Sequence, residues 1–161
     1  MVDPRQRSKR RSSGKRAKAA LPLKNFTLYL DENFDCHEVK NALVKAGIKH
    51  RVYSEFFKRG EEDPKMLPLV GKRGWAMLTC DKRNRHRELE RREILQHKVR
   101  EFVFSGNLGG APLAALLVRT YPGMRRFSRN NERPFVAVIT NAGNIHLRMD
   151  KDGNLHRRIP Q

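Results

Sequence analysis

The sequence predicts one α/β domain built in three layers, a mostly parallel sheet between two sets of helices, with a β-hairpin at its C-terminal end. Three observations carry this. Short apolar runs rich in β-branched and aromatic residues alternate with segments whose apolar residues recur at helical spacing. Their order, β-α-β-α-β-α-β-α, requires crossover connections, which pair strands in parallel and place helices on both faces. A length of 161 residues supports one hydrophobic core and leaves too little chain for two full domains.

Residues 1–24 stand apart from this pattern. They hold nine Lys/Arg and one Asp among Ser, Gly and Ala, with almost nothing to bury, and are expected to form a disordered basic arm ahead of a folded domain at 25–161. Phe26–Leu30 (FTLYL) then reads as the first strand, ended by Asp31-Glu32-Asn33. From Asp35 to Ala46, Val39, Leu43, Val44 and Ala46 fall on one helical face, and Gly47 closes the helix. His50–Tyr53 is a weaker second strand. Asp63 is a good N-cap followed by a tolerated first-turn proline, Pro64, so a helix is expected from there through Met66, Leu67 and Val70 to Gly71.

Trp75–Cys80 (WAMLTC) is a nearly continuous apolar strand of the buried parallel kind. Arg85–His97 reads as a charged helix with Leu89, Ile94 and Leu95 turned inward. Glu101–Phe104 (EFVF) is the fourth strand, and Ala111–Arg119 an apolar helix after a Ser-Gly-Asn-Leu-Gly-Gly turn. Phe135–Thr140 and Ile145–Met149, joined through Asn141–Asn144, make the terminal hairpin.

Charge is the strongest compositional signal. Lys and Arg number 35 against 17 Asp and Glu, and removing the first 24 residues still leaves 26 against 16. A field of this size suits a polyanion such as nucleic acid, although a solvated basic surface is the plainer explanation of any one charge run. The two cysteines, Cys36 and Cys80, have no paired zinc spacing and argue against a disulfide scaffold. No apolar run has membrane-spanning length and the N-terminus lacks the apolar core of a secretory signal, so a soluble, cytoplasmic protein is expected.

Ligands of an open parallel sheet collect at the carboxyl ends of its strands, and that rule selects the acids to inspect. Asp31 and Glu32 follow the first strand and Asp81 follows WAMLTC, while Asp63 comes after a loop carrying Glu61 and Glu62. Carboxylates delivered to one edge repel unless a cation neutralises them, and an oxygen-only donor set favours Mg²⁺ or Mn²⁺ over zinc. Each acid also has a structural reading, since Asp is common in turns and caps, and for Asp63 capping is equally good. Thr79 shares its strand side with Asp81 and can orient a carboxylate or water, or be an ordinary strand threonine. Glu88 and Glu90 follow on the next helix, where only one of them can face inward. Lys82, Arg83, Arg85, His86, Arg87, Arg91 and Arg92 frame Asp81 as a basic rim suited to a phosphodiester backbone. Tyr53, Phe56, Phe57 and Trp75 are aromatic enough to stack bases, yet residues in such runs more often belong to a core.

The segments LYLDEN, EEDP, GWAMLTCDKR, the Arg-rich ELERR and FVFSGNLGG together resemble a PIN-like domain, and are most similar to its VapC-like branch of toxin–antitoxin systems. The resemblance covers roughly residues 26–149. It implies a three-layer PIN-like fold and a Mg²⁺- or Mn²⁺-dependent ribonuclease, often a homodimer and often inhibited by an antitoxin. Asp31, Asp63 and Asp81 match the family's metal-binding acids, Thr79 its T-x-D threonine, and Glu90 an acidic position on the following helix. The chain departs from the family at Asn84 and Asn107, where no carboxylate stands for a second metal.

The expected catalytic set is therefore Asp31, Asp63, Asp81, Thr79 and Glu90. The expected metal set is Asp31, Asp63, Asp81 and Glu32, with RNA on Lys82, Arg83, Arg85, Arg87 and Arg91. The alternative of another class is a non-catalytic RNA- or ribosome-binding module that uses the basic surface and the arm. A third reading places an acidic protein partner on the basic face.

Overall fold

The computed structural model describes residues 25–61, 65–80 and 87–156, with Arg87 described in its backbone alone. The expected basic arm lies outside these residues. Six strands form one sheet: β1 (Leu28–Leu30), β2 (His50–Val52), β3 (Ala76–Cys80), β4 (Arg100–Phe104), β5 (Phe135–Ile139) and β6 (Ile145–Met149). Their order across the sheet is β2-β1-β3-β4-β5-β6. Every neighbouring pair is parallel except β5 with β6, which forms the expected antiparallel hairpin.

Among the described residues four α-helices connect the strands, α1 (His37–Lys45), α2 (Met66–Arg73), α3 (Arg87–His97) and α4 (Gly110–Asn130), with one short 3-10 turn at Tyr53–Glu55. Strand alternation sorts the core into two layers. Leu28, Leu30, Ala76, Leu78, Phe102, Phe104, Ala137 and Ile139 face α1 and α4, packing with Val39, Leu43, Leu113, Leu117 and Met124. Tyr29, Met77, Val103 and Val136 face the other way, against Leu67 and Val70 of α2 and Ile94 of α3. The architecture is the α/β/α arrangement that the sequence predicts.

Details differ where local pattern and packing compete. The second helix opens at Met66 with Lys65 as N-cap and no side-chain cap, not at Asp63. Pro68 is then its third residue, within the first turn where backbone amides have no helical partner, so its missing N–H costs nothing. Val44 is 68% exposed and Leu89 63% exposed, against the expectation that both turn inward. In α1, Val39 and Leu43 already complete the buried stripe, and in α3 Ile94 occupies the core while Leu89 sits a turn ahead of the contact. The fourth helix runs eleven residues past Arg119, to Asn130. Burial of Thr120, Met124 and Ser128 carries it through Pro122, despite the helical hydrogen bond that proline withholds from the Val118 carbonyl.

Candidate functional site

At the carboxyl end of β1 the chain turns sharply, and Asp31 supplies the turn. Its backbone N–H donates to the Leu78 carbonyl at 3.3 Å, extending the β1–β3 ladder by one residue. Its Oδ1 accepts the Asn33 N–H at 2.9 Å, and its carbonyl accepts the Phe34 N–H at 3.0 Å. These bonds pin the carboxylate in a pocket where it is 8% exposed. Burial pushes the carboxyl up to about 6, against the stabilising bonds from Asn33 and Phe34 and with the Glu32 charge adding to the rise. Among the described residues no Lys or Arg forms an ion pair with it.

Alternation continues the Tyr29 side of β1 to Asp31, and the Leu30↔Leu78 register sets Asp31 beside Thr79 on the α2–α3 face. The Thr79 hydroxyl donates to Glu101 Oε1 at 3.2 Å. Glu101 sits on β4 opposite Met77 and is 4% exposed. A second carboxylate thus lies beneath the strand ends, on the same face as the first. Tyr29 shares this face. Its hydroxyl is fully buried with no hydrogen-bond partner among the described residues, and burial raises the phenol well above its usual range, with Tyr53 and Asp31 contributing further.

The remaining expected residues divide. Glu32 Oε1 accepts the Gly60 N–H at 3.0 Å and lies 3.6 Å from Arg59 Nε, so this carboxylate ties the 58–61 segment to the end of β1. Glu61 closes that segment by accepting the Lys58 N–H. Glu90 is exposed on the first turn of α3, and Arg91 is half-buried beside it. Glu88 pairs with Arg92 one turn on, at 3.4 Å. Asp63, Asp81, Lys82, Arg83, Asn84, Arg85 and His86 lie outside the described residues, as does the side chain of Arg87. Among the described residues there is no group of three or more His, Cys, Asp and Glu able to hold a metal ion.

The aromatics are mainly structural. Tyr53 is buried, while Phe56, Phe57 and Trp75 are half-buried at the edge of the α2–α3 core, Trp75 stacking on Tyr29 with ring planes 5° apart. Arg51 and Arg73 cover the Trp75 ring from outside.

Glu101 is the site residue that sequence reasoning missed. The signal was present: a carboxylate on the second position of REFVF, in a strand bounded by apolar neighbours, is a charge in a place where burial is costly. Chemically, the arrangement offers two buried carboxylates and a hydroxyl on one sheet face, with Asp31 at the end where β1 releases the chain and Glu101 deeper, opposite Met77 in β3. Such a donor set suits a hard cation.

Among the described residues no helix is long and apolar enough to cross a membrane. Neither the curated proteins nor the solved structures provide a match to the chain. Residues 27–106 match the family described as PIN like domain, which supports nuclease-type chemistry in general. The stretch that carries Asp31, Thr79 and Glu101 therefore lies inside the region that matches a PIN-like domain.

Proposed function

We propose that the chain is a Mg²⁺- or Mn²⁺-dependent endoribonuclease whose cation is held by Asp31, Asp63 and Asp81. The observation that carries this reading is the Asp31 carboxylate, buried without a cationic partner among the described residues and raised to about 6. A buried carboxylate is costly when charged, and a divalent ion offsets that cost. When bound, the cation supplies charge neutralisation at the scissile phosphate and Lewis acidity toward water.

The chain's own residues do the rest. Asn33 fixes the Asp31 rotamer by donating its backbone N–H, and Glu101 orients the Thr79 hydroxyl two residues ahead of Asp81. Glu32 anchors the segment that leads to Asp63 through Gly60 and contributes charge near Asp31. Glu90 adds a carboxylate on α3, and Lys82, Arg83, Arg85, Arg87 and Arg91 hold the RNA backbone around the centre. At the finer level we place the protein with VapC-like toxins, acting in the cytoplasm as a homodimer restrained by an antitoxin that covers the basic rim.

Labelled single-stranded RNA incubated with purified protein in Mg²⁺, Mn²⁺ or EDTA, beside Asp81→Asn, tests this. Cutting that needs metal and disappears in the variant is the expected result. Binding without cutting in either metal replaces the nuclease with the silent RNA-binding module, and cutting by Asp81→Asn at the wild-type rate removes the metal assignment.

A further inference from the structure

The outward face of α4 carries a second concentration of charge, beginning at the carboxyl end of β5, where Arg119 meets Asn141, and running back along the sheet face opposite Thr79 and Glu101. At 3.6 residues per turn, Arg119, Arg125, Arg126 and Arg129 fall within one arc of roughly 120°, spread over about 15 Å of helix. The opposite side of α4 is the buried one, with Leu113, Leu117, Thr120, Met124 and Ser128 against the sheet. No Asp or Glu occurs anywhere in Gly110–Asn130. Among the described residues none of the four arginines forms an ion pair: Arg119 donates to the Asn141 carbonyl at 3.3 Å and Arg125 lies over the Tyr121 ring at 5.9 Å.

The contrast with the rest of the surface is informative. Several basic side chains on other elements meet carboxylates, as Lys40 meets Asp35, Arg51 meets Glu55, Arg92 meets Glu88 and Lys151 meets Glu132. Four arginines aligned on one helix face with no ion pair among the described residues repel one another, and that repulsion is relieved by a polyanion. The guanidinium fork suits phosphate oxygens. The same face offers only Ala111, Ala115, Val118 and Pro122 as apolar groups, too little to enter a lipid bilayer.

Because α4 packs on the sheet face opposite Thr79 and Glu101, one RNA can touch both surfaces only by wrapping the domain's edge or by being large and folded. We propose that the Arg119–Arg129 face of α4 is a docking surface for the phosphate backbone of RNA, on the side of the sheet opposite the candidate catalytic residues. The proposal rests on the nucleic-acid part of the function proposed above and not on its chemistry.

The test is equilibrium binding of a labelled, folded hairpin RNA to the full chain in EDTA, over a salt series. The variant is Arg119→Gln/Arg126→Gln/Arg129→Gln, which leaves the half-buried Arg125 in place. A control of equal charge change, Lys45→Gln/Lys72→Gln/Lys98→Gln, removes exposed lysines from other elements. The expected result is a tenfold or greater loss of affinity in the arginine variant, with the slope of log affinity against log salt reduced by about 2–3 for three lost phosphate contacts. Arg119→Lys/Arg126→Lys/Arg129→Lys is expected to keep most of the binding, which shows that the helix still folds when these positions change. Equal losses in the arginine and lysine-control variants would overturn the proposal, since net charge alone would then explain both. Unchanged RNA binding with lost binding to phosphatidylserine vesicles would overturn it in favour of a membrane surface. Cleavage can fail in every metal while this result stands, so the two readings are separable.

Discussion

The Thr79 hydroxyl donates to Glu101 Oε1 across 3.2 Å, joining β3 and β4 on the face of the sheet that carries Asp31. The bond supplies a donor to a carboxylate that is 4% exposed. Thr79→Val keeps the shape and removes the donor, so it is expected to lower stability by about 1–3 kcal/mol, while Thr79→Ser keeps most of it. Urea unfolding midpoints of the three proteins check this. Equal midpoints for Val and Ser variants would show that the hydroxyl does not matter to Glu101.

Asp31 gives a pH dependence of definite sign. Its folded carboxyl titrates near about 6 against an ordinary 3.8, so the folded state binds the proton more tightly than the unfolded chain. The group therefore does not oppose folding in acid, and destabilises progressively as pH rises from about 4 through about 6. In EDTA, Asp31→Asn is expected to be more stable than the parent above that window by on the order of 2–3 kcal/mol, with the difference vanishing below about pH 4. Asn still offers an oxygen to the Asn33 N–H. Thermal unfolding at several pH values reads the difference, and a variant less stable than the parent at neutral pH would contradict it.

Metal should reverse that ranking. With Mg²⁺ or Mn²⁺ at a hundred times its dissociation constant, the parent gains about 2.7 kcal/mol if the ion binds the folded state only. Asp31→Asn is expected to gain little or nothing. Melting temperatures with and without metal, for both proteins, distinguish this from a general ionic effect, which would shift the two alike.

Gly71 is where α2 meets α3. A Cβ on this residue would run into the His97 carbonyl oxygen, a backbone atom at the end of α3 that cannot rotate away. Gly71→Ala is accordingly expected to destabilise by about 1–3 kcal/mol, in spite of the better helix propensity of alanine. Gly47, by contrast, ends α1 in open space at φ 66°, where Gly47→Ala costs backbone strain alone. Denaturant titration of the two variants separates a packing clash from a conformational one, since only the first is expected to loosen the contact between helices.

Periodicity by itself determined the order of elements, their parallel pairing and the placement of Asp31 at a strand end. The reason is that a two-residue and a 3.6-residue repeat of apolar groups can each bury one face in only one kind of element. Local signals served less well at Asp63-Pro64, whose capping chemistry marks a helix that begins at Met66, and at Arg119, where apolar density falls but α4 continues. Those boundaries depend on which neighbours lie across the gap, as do the outward positions of Val44 and Leu89. Glu101 is the sharpest case. In the sequence it is one acid in a charged protein, and only the register of β3 against β4 makes it a buried partner of Thr79. The α4 arginines, without ion pairs among the described residues, follow the same logic: the sequence supplies their spacing, but whether carboxylates from other elements approach them is decided by tertiary packing, which brings partners from residues far apart in the chain.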